Sequence, residues 1–239
     1  MTIDTVDLLP RASHERHARS NAFVRDVVLG MADGLTVPFA LAAGVTAAHG
    51  SSNLVITAGA AEIAAGAIAM GLGGYLAAQA ELDQYRGAYR REMRETETVP
   101  DEERTEVREI LSEIGLYGPH LHEVVDAIAS DPHRWVNFMM RYELGLAEPN
   151  VRRAPFCAAT IGTSYVVGGI IPLLPYFFAN DAMHALVISA IVTLVALFVF
   201  GVGKAKITST PVLKSGLQTM LIGALASTVA FALARLIHL

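Results

Sequence analysis

Five runs nearly free of charge, at 27–48, 52–80, 154–179, 182–203 and 215–234, constrain this chain more than any other feature. Each supplies the roughly 20 apolar residues that a helix needs to cross about 30 Å of hydrocarbon. A soluble core helix of that length would carry a polar stripe, and these runs carry none. The composition agrees: 17% of residues are charged, against roughly 25% in an ordinary soluble domain. The expected fold class is an all-α integral membrane protein with five transmembrane helices, interrupted by a helical insert between spans 2 and 3.

Residues 1–25 are polar, hold Arg11, Arg16, Arg19 and Arg25, and contain no apolar signal-peptide core. The first span is therefore expected to serve as its own insertion signal. Of the 18 lysines and arginines, 17 fall in the tail, in the insert or between spans four and five, and only Arg235 falls on the other side. The excess of basic residues marks the cytoplasmic face. The N-terminus is thus expected inside and the C-terminus on the opposite side. The resulting division is a cytoplasmic tail (1–25), spans 1–2 (26–80), a cytoplasmic helical insert (81–153) and spans 3–5 (154–239). The one cysteine, Cys157, can form no intrachain disulfide and is expected to pack as a small apolar residue.

The insert holds most of the acidic residues and reads as helical almost throughout. Residues 81–96 are rich in helix formers and continue the second span. Pro100 breaks the chain, and Asp101 is placed to cap or charge a second helix that ends near Gly115. Pro119 opens a third helix to about Ser130, and Asp131-Pro132 starts a fourth that ends near Gly145. Glu92 and Glu95 share a helix face, as do Glu103 and Glu106. Met139 and Met140 stand four and three residues before Glu143, which joins thioethers to a carboxylate. Such a mixed set suits a borderline metal such as Fe2+ better than Ca2+ or Mg2+. On spacing alone, a solvated face balanced by Arg94 and Arg104 fits the glutamates better, and a core around Trp135 and Phe138 fits the methionines.

Two carboxylates lie inside the spans. Asp33 sits among Gly30, Gly34 and Pro38 in the first, and Glu62 sits mid-way along the second, with Met70 two turns further on. An intramembrane carboxylate costs roughly 2.5–3.5 kcal/mol on insertion scales and marks a functional site by default. A cation path explains two of them plus a thioether better than a cap and a structural hydrogen bond do. Six of the eight histidines, His49, His120, His122, His133, His184 and His238, are scattered. No histidine has a glutamate three residues before it, which counts against a ferritin-like di-iron site. No Walker motif and no inverted repeat are present.

At this point the sequence resembles the vacuolar iron transporter family, ferrous-iron/proton exchangers. The stretches that carry the likeness are RDVVLGMADGLTVPFALAAGVTAA, TAGAAEIAAGAIAMGLGGYLAAQAE, FMMRYELGL, YVVGGIIPLLPYFF and FGVGKAKIT. The resemblance implies a homodimer with its path at the two-fold interface. It implies metal ligation in the insert by Glu92, Glu95, Glu103, Glu106, Met139, Met140 and Glu143, and a path lined by Asp33, Glu62 and Met70. Glu102, Glu109 and Glu113 are expected to be solvated neighbours. The implied function is proton-coupled antiport of Fe2+ out of the cytosol. Mn2+ and Co2+ are related substrates, with Zn2+ added at the cytoplasmic site. No permanently bound cofactor, catalytic residue or nucleic-acid partner is expected. With no vacuolar sorting signal evident, the membrane is the vacuolar one in a plant or fungus and the plasma membrane in a prokaryote. The alternatives are a membrane-bound metal sensor and a ferroxidase without transport.

Overall fold

A computed structural model describes residues 11–49, 51–179, 181–208 and 210–237. Among them every regular element is an α-helix: α1 (Arg11–Ala47), α2 (Ser52–Thr98), α3 (Pro100–Glu113), α4 (Pro119–Ala129), α5 (Pro132–Tyr142), α6 (Arg153–Phe178), α7 (Ala182–Thr208) and α8 (Val212–Ile237). The chain divides into two compact units. One runs to Tyr75 and resumes at Pro155; the other is Leu76–Ala154. Among the described residues five helices are long and apolar enough to cross a membrane, in Ala22–Ala47, Ser52–Thr98, Arg153–Phe178, Ala182–Ile207 and Val212–Ile237. The polar tail departs from expectation, because α1 already begins at Arg11 and continues into the first apolar run without a break. α2 is likewise unbroken for 47 residues, roughly 70 Å at 1.5 Å per residue. His238 lies outside the described residues.

In the first unit, small residues let helices approach closely. A Cβ on Gly30 would meet the Ile161 carbonyl oxygen at 2.3 Å, and one on Gly34 would meet that of Tyr165 at 2.3 Å. α1 and α6 therefore touch backbone to backbone, the small-xxx-small packing of membrane helices. α1 also packs against α7 and α8, and these two pack against each other. Gly216 there lies under Phe198, and Gly223 under Leu197. Ala42, Val55, Ile63, Leu173, Tyr176 and Ala185 form a shared core. Several buried hydroxyls of this unit are satisfied internally, as a dry interior favours. Thr46 and Tyr176 bond at 3.1 Å, and the hydroxyls of Ser189 and Ser215 donate to the carbonyls of Pro172 and Gly201. Outside, Ile191, Val195 and Val199 on α7 and Leu217, Leu221 and Leu225 on α8 form exposed apolar stripes, which suit lipid.

In the second unit, local chemistry sets the helix ends. Pro100, Pro119 and Pro132 each open a helix, where proline's missing N–H costs nothing. The Asp131 side chain caps α5 by accepting the Arg134 N–H at 2.9 Å. The cap of α3 is Val99, with no side-chain bond. Asp101 falls inside its first turn, where negative charge complements the helix dipole. α3 ends in a Schellman arrangement: Gly115 has φ +95°, its N–H reaches Ser112, and that of Leu116 reaches Leu111. α5 stops at Tyr142, three residues short of the expected Gly145, and Gly145 takes a left-handed φ of +62°. Val107, Leu111, Leu121, Val125, Trp135 and Met139 make the core of this unit. Arg104 spans its edge, paired with Asp126 at 2.6 Å and lying over the Trp135 ring.

Candidate metal centre and translocation path

Asp33 on α1 is half-buried, one residue before the glycine that meets the Tyr165 backbone. Pro38 lies inside the same helix and lacks the N–H that would bond the Gly34 carbonyl. Glu62 on α2 is also half-buried. The Tyr165 hydroxyl of α6 donates a short hydrogen bond to its Oε1. Its Oε2 is buried and has no hydrogen-bond partner among the described residues. Gly66, one turn along α2, makes room for the phenol. A Cβ there would lie 2.4 Å from the Tyr165 oxygen. Met70 is half-buried two turns beyond Glu62. A carboxylate held by one oxygen, with the other enclosed and unpartnered, can take up a proton or a cation there.

Tyr165 was not among the residues singled out from the sequence. The only signal it gives there is a hydroxyl in the middle of an apolar run, which must find a partner when buried.

The second unit gathers another set. Oxygens of Glu92 and Glu95 on α2 and of Glu103 on α3 lie within 4.8 Å of one another. Glu92 is 3% exposed and Glu103 5%, so these are not solvated surface charges. Burial pushes the Glu103 carboxyl up to about 7, with further upward pressure from Glu106, Glu92, Glu95 and Glu143. Burial raises Glu92 as well, with Glu95 and Glu106 adding to it while Arg91 opposes. Glu143 is also raised, by burial and then by Glu92, Glu106 and Glu95. Five glutamates thus feel one another. Like charges crowded in low dielectric resist ionisation, and a divalent cation removes that resistance. Glu103 Oε2 is buried without a hydrogen-bond partner among the described residues.

Glu106 is half-buried, whereas Glu143 is exposed at the C-cap of α5. Its backbone stays helical, and its N–H donates to the Met139 carbonyl at 3.0 Å, so the four-residue spacing to Met139 survives. The two methionines are wholly buried but on different sides. Met139 packs with Trp135 and Val107, and Met140 with Ala88 and Val136. Glu102, Glu109 and Glu113 are exposed. His133 bonds Tyr89, His120 pairs with Glu123, and His184 pairs with Asp181, so none of these three joins the carboxylates in the cluster.

Apolar helices long enough to span a bilayer, carboxylates among them and a separate acidic unit define an integral membrane protein built to handle cations. The chain belongs to the VIT family, whose model matches residues 24–235. It is 52% identical to the vacuolar iron transporter of Centaurea cyanus, over 92% of this chain and 90% of that protein. It is 50% identical to vacuolar iron transporter 1 of Arabidopsis thaliana, over 94% and 90% respectively. It is also 37% identical to protein CCC1 of Saccharomyces cerevisiae, over 90% and 69%.

Proposed function

We propose that this protein carries Fe2+ out of the cytosol in exchange for protons, with Mn2+ and Co2+ as further substrates. The destination is the vacuole where the cell has one and the far side of the plasma membrane where it has not. The observation that carries this reading is Glu62. It is a carboxylate within the span-forming unit, fixed at one oxygen by Tyr165 and open to a ligand at the other. It stands in a chain about half identical to proteins named as vacuolar iron transporters.

The chemistry follows from the residue types. A carboxylate must lose its proton before it ligates metal well. Asp33 and Glu62 therefore alternate between proton and metal, which couples the two fluxes. Met70 adds a soft ligand that favours Fe2+ over Mg2+ or Ca2+. Glu92, Glu95, Glu103, Glu106, Met139, Met140 and Glu143 serve as the cytoplasmic collecting site, and their charge raises the local cation concentration. The path runs at the interface of two copies. Leu29 and Val37, one turn to either side of Asp33, are exposed in the single chain, and a second α1 would cover this stripe and shield Asp33 from lipid. Five spans would set the termini on opposite sides, and the excess of basic residues puts the N-terminus in the cytosol.

The test is Fe2+ uptake by sealed proteoliposomes under an imposed pH gradient, without oxygen. Uptake should rise several-fold when the lumen is acid and collapse when a protonophore dissipates the gradient. Uptake indifferent to the gradient would sink proton coupling. No uptake at all would sink transport.

A further inference from the structure

Arg91 lies against the carboxylate cluster from within α2 itself. Its Nη2 is 3.5 Å from Glu92 Oε1 and its Nε is 3.8 Å from Glu95 Oε2. One guanidinium thus faces two of the three carboxylates that converge within 4.8 Å. The cluster is more than an acidic surface, since Glu103 is 5% exposed and holds a buried oxygen without a hydrogen-bond partner among the described residues. The Arg91 side chain, by contrast, is 54% exposed. Both of its contacts are longer than the roughly 2.7–2.9 Å of a strong charge-assisted hydrogen bond. The group is held mainly by charge, and its exposed guanidinium can move into water once another cation takes its place beside the buried Glu92 carboxylate. Arginine keeps its charge at every working pH, so these ligands always have a cation beside them.

We infer that Arg91 sets the affinity and selectivity of this site, as a tethered cation that neutralises Glu92 and Glu95 until a divalent ion displaces it. The inference rests on reading the cluster as the cytosolic metal site. A single positive charge competes well against K+ or Na+ and poorly against a divalent ion that also engages Glu103. Arg91 therefore keeps monovalent ions out and keeps metal binding weak enough for release. A merely structural ion pair predicts the opposite sign, because its loss would loosen the site and weaken binding.

The experiment is calorimetric titration of Mn2+ into the full-length protein in detergent, with 20 and 300 mM KCl as the two salt conditions, which screen charge over roughly 20 and 6 Å. Arg91→Gln and Arg91→Met, the second keeping the apolar stem, should each bind Mn2+ roughly three- to tenfold more tightly at low salt, the equivalent of losing one or two exposed ion pairs. Arg91→Lys should match the parent, and KCl should weaken Mn2+ binding more in the Gln variant than in the parent. Unchanged or weaker binding in both Arg91→Gln and Arg91→Met overturns the inference, provided Trp135 fluorescence reports a folded insert. Failure of the underlying site reading looks different: a Glu92→Gln, Glu103→Gln double variant would bind Mn2+ like the parent.

Discussion

At the scale of single residues, Glu103 couples protonation to folding and, on the proposed function, to metal capture. Its carboxyl sits at about 7 in the folded protein, against 4.5 for an unperturbed glutamate. The folded state therefore holds this proton more tightly than the unfolded state does. Stability from this group is complete below about pH 4.5 and is lost as pH rises through 7, the reverse of an ion-paired carboxylate. Metal binding runs the other way, since ligation needs the deprotonated form. Trp135, the chain's single tryptophan, is buried in the core of this unit, and its fluorescence reports the insert alone. Without metal, the melting midpoint read at Trp135 should fall between pH 5 and 7.5, and saturating Mn2+ should restore it most at the alkaline end. Glu103→Gln, neutral at every pH, should flatten the metal-free profile. A midpoint that rises with pH in the metal-free parent would refute the assignment.

At the scale of elements, the contact between α1 and α6 admits no side chain at Gly34. A methyl group there would lie 2.3 Å from the Tyr165 carbonyl oxygen and 2.9 Å from its Cα, and neither can yield as a flexible side chain would. Gly34→Ala should force the helices apart, at roughly 1–3 kcal/mol for an overpacked contact. A thermal melt of the purified protein should show a lower midpoint. Because Tyr165 carries the bond to Glu62, flux should fall as well, while Mn2+ binding to the insert stays intact. An unchanged melt would show that the helices have room to spare.

The same elements show what a sequence can and cannot disclose. The spans were legible because twenty apolar residues have few other uses, and the insert helices because Pro119, Pro132, Asp131 and Gly115 act through their own local backbone. The bond from Tyr165 to Glu62 was not legible, since it joins residues 103 apart and exists only once two helices have crossed. The burial of Met139 and Met140 on different sides was equally hidden. Spacing gives direction around one helix, but which neighbours fill that direction depends on α2, α3 and α4 together. The start of α1 at Arg11 was missed because a run of arginines and polar residues looks like tail, although arginine is itself a good helix former.

At the scale of the whole molecule, two compact units with separate cores should make the two proposed metal regions separable by mutation. Asp33 belongs to the span-forming unit, where no water replaces a lost ligand cheaply. Its removal should bring flux to background. The insert offers seven candidate ligands, and losing one should weaken capture without closing the path. Asp33→Ala should therefore keep the parent's Mn2+ titration in detergent yet fail to load proteoliposomes. Glu103→Ala should transport at the parental maximum with half-saturating Fe2+ raised about tenfold, the equivalent of ~1.4 kcal/mol of lost binding. The discriminating measurement is flux against Fe2+ concentration for both variants beside their binding curves. Normal flux in Asp33→Ala, or no flux in Glu103→Ala at saturating Fe2+, would exchange the two roles. The path would then run through the insert's carboxylates, and the intramembrane aspartate would be a structural group.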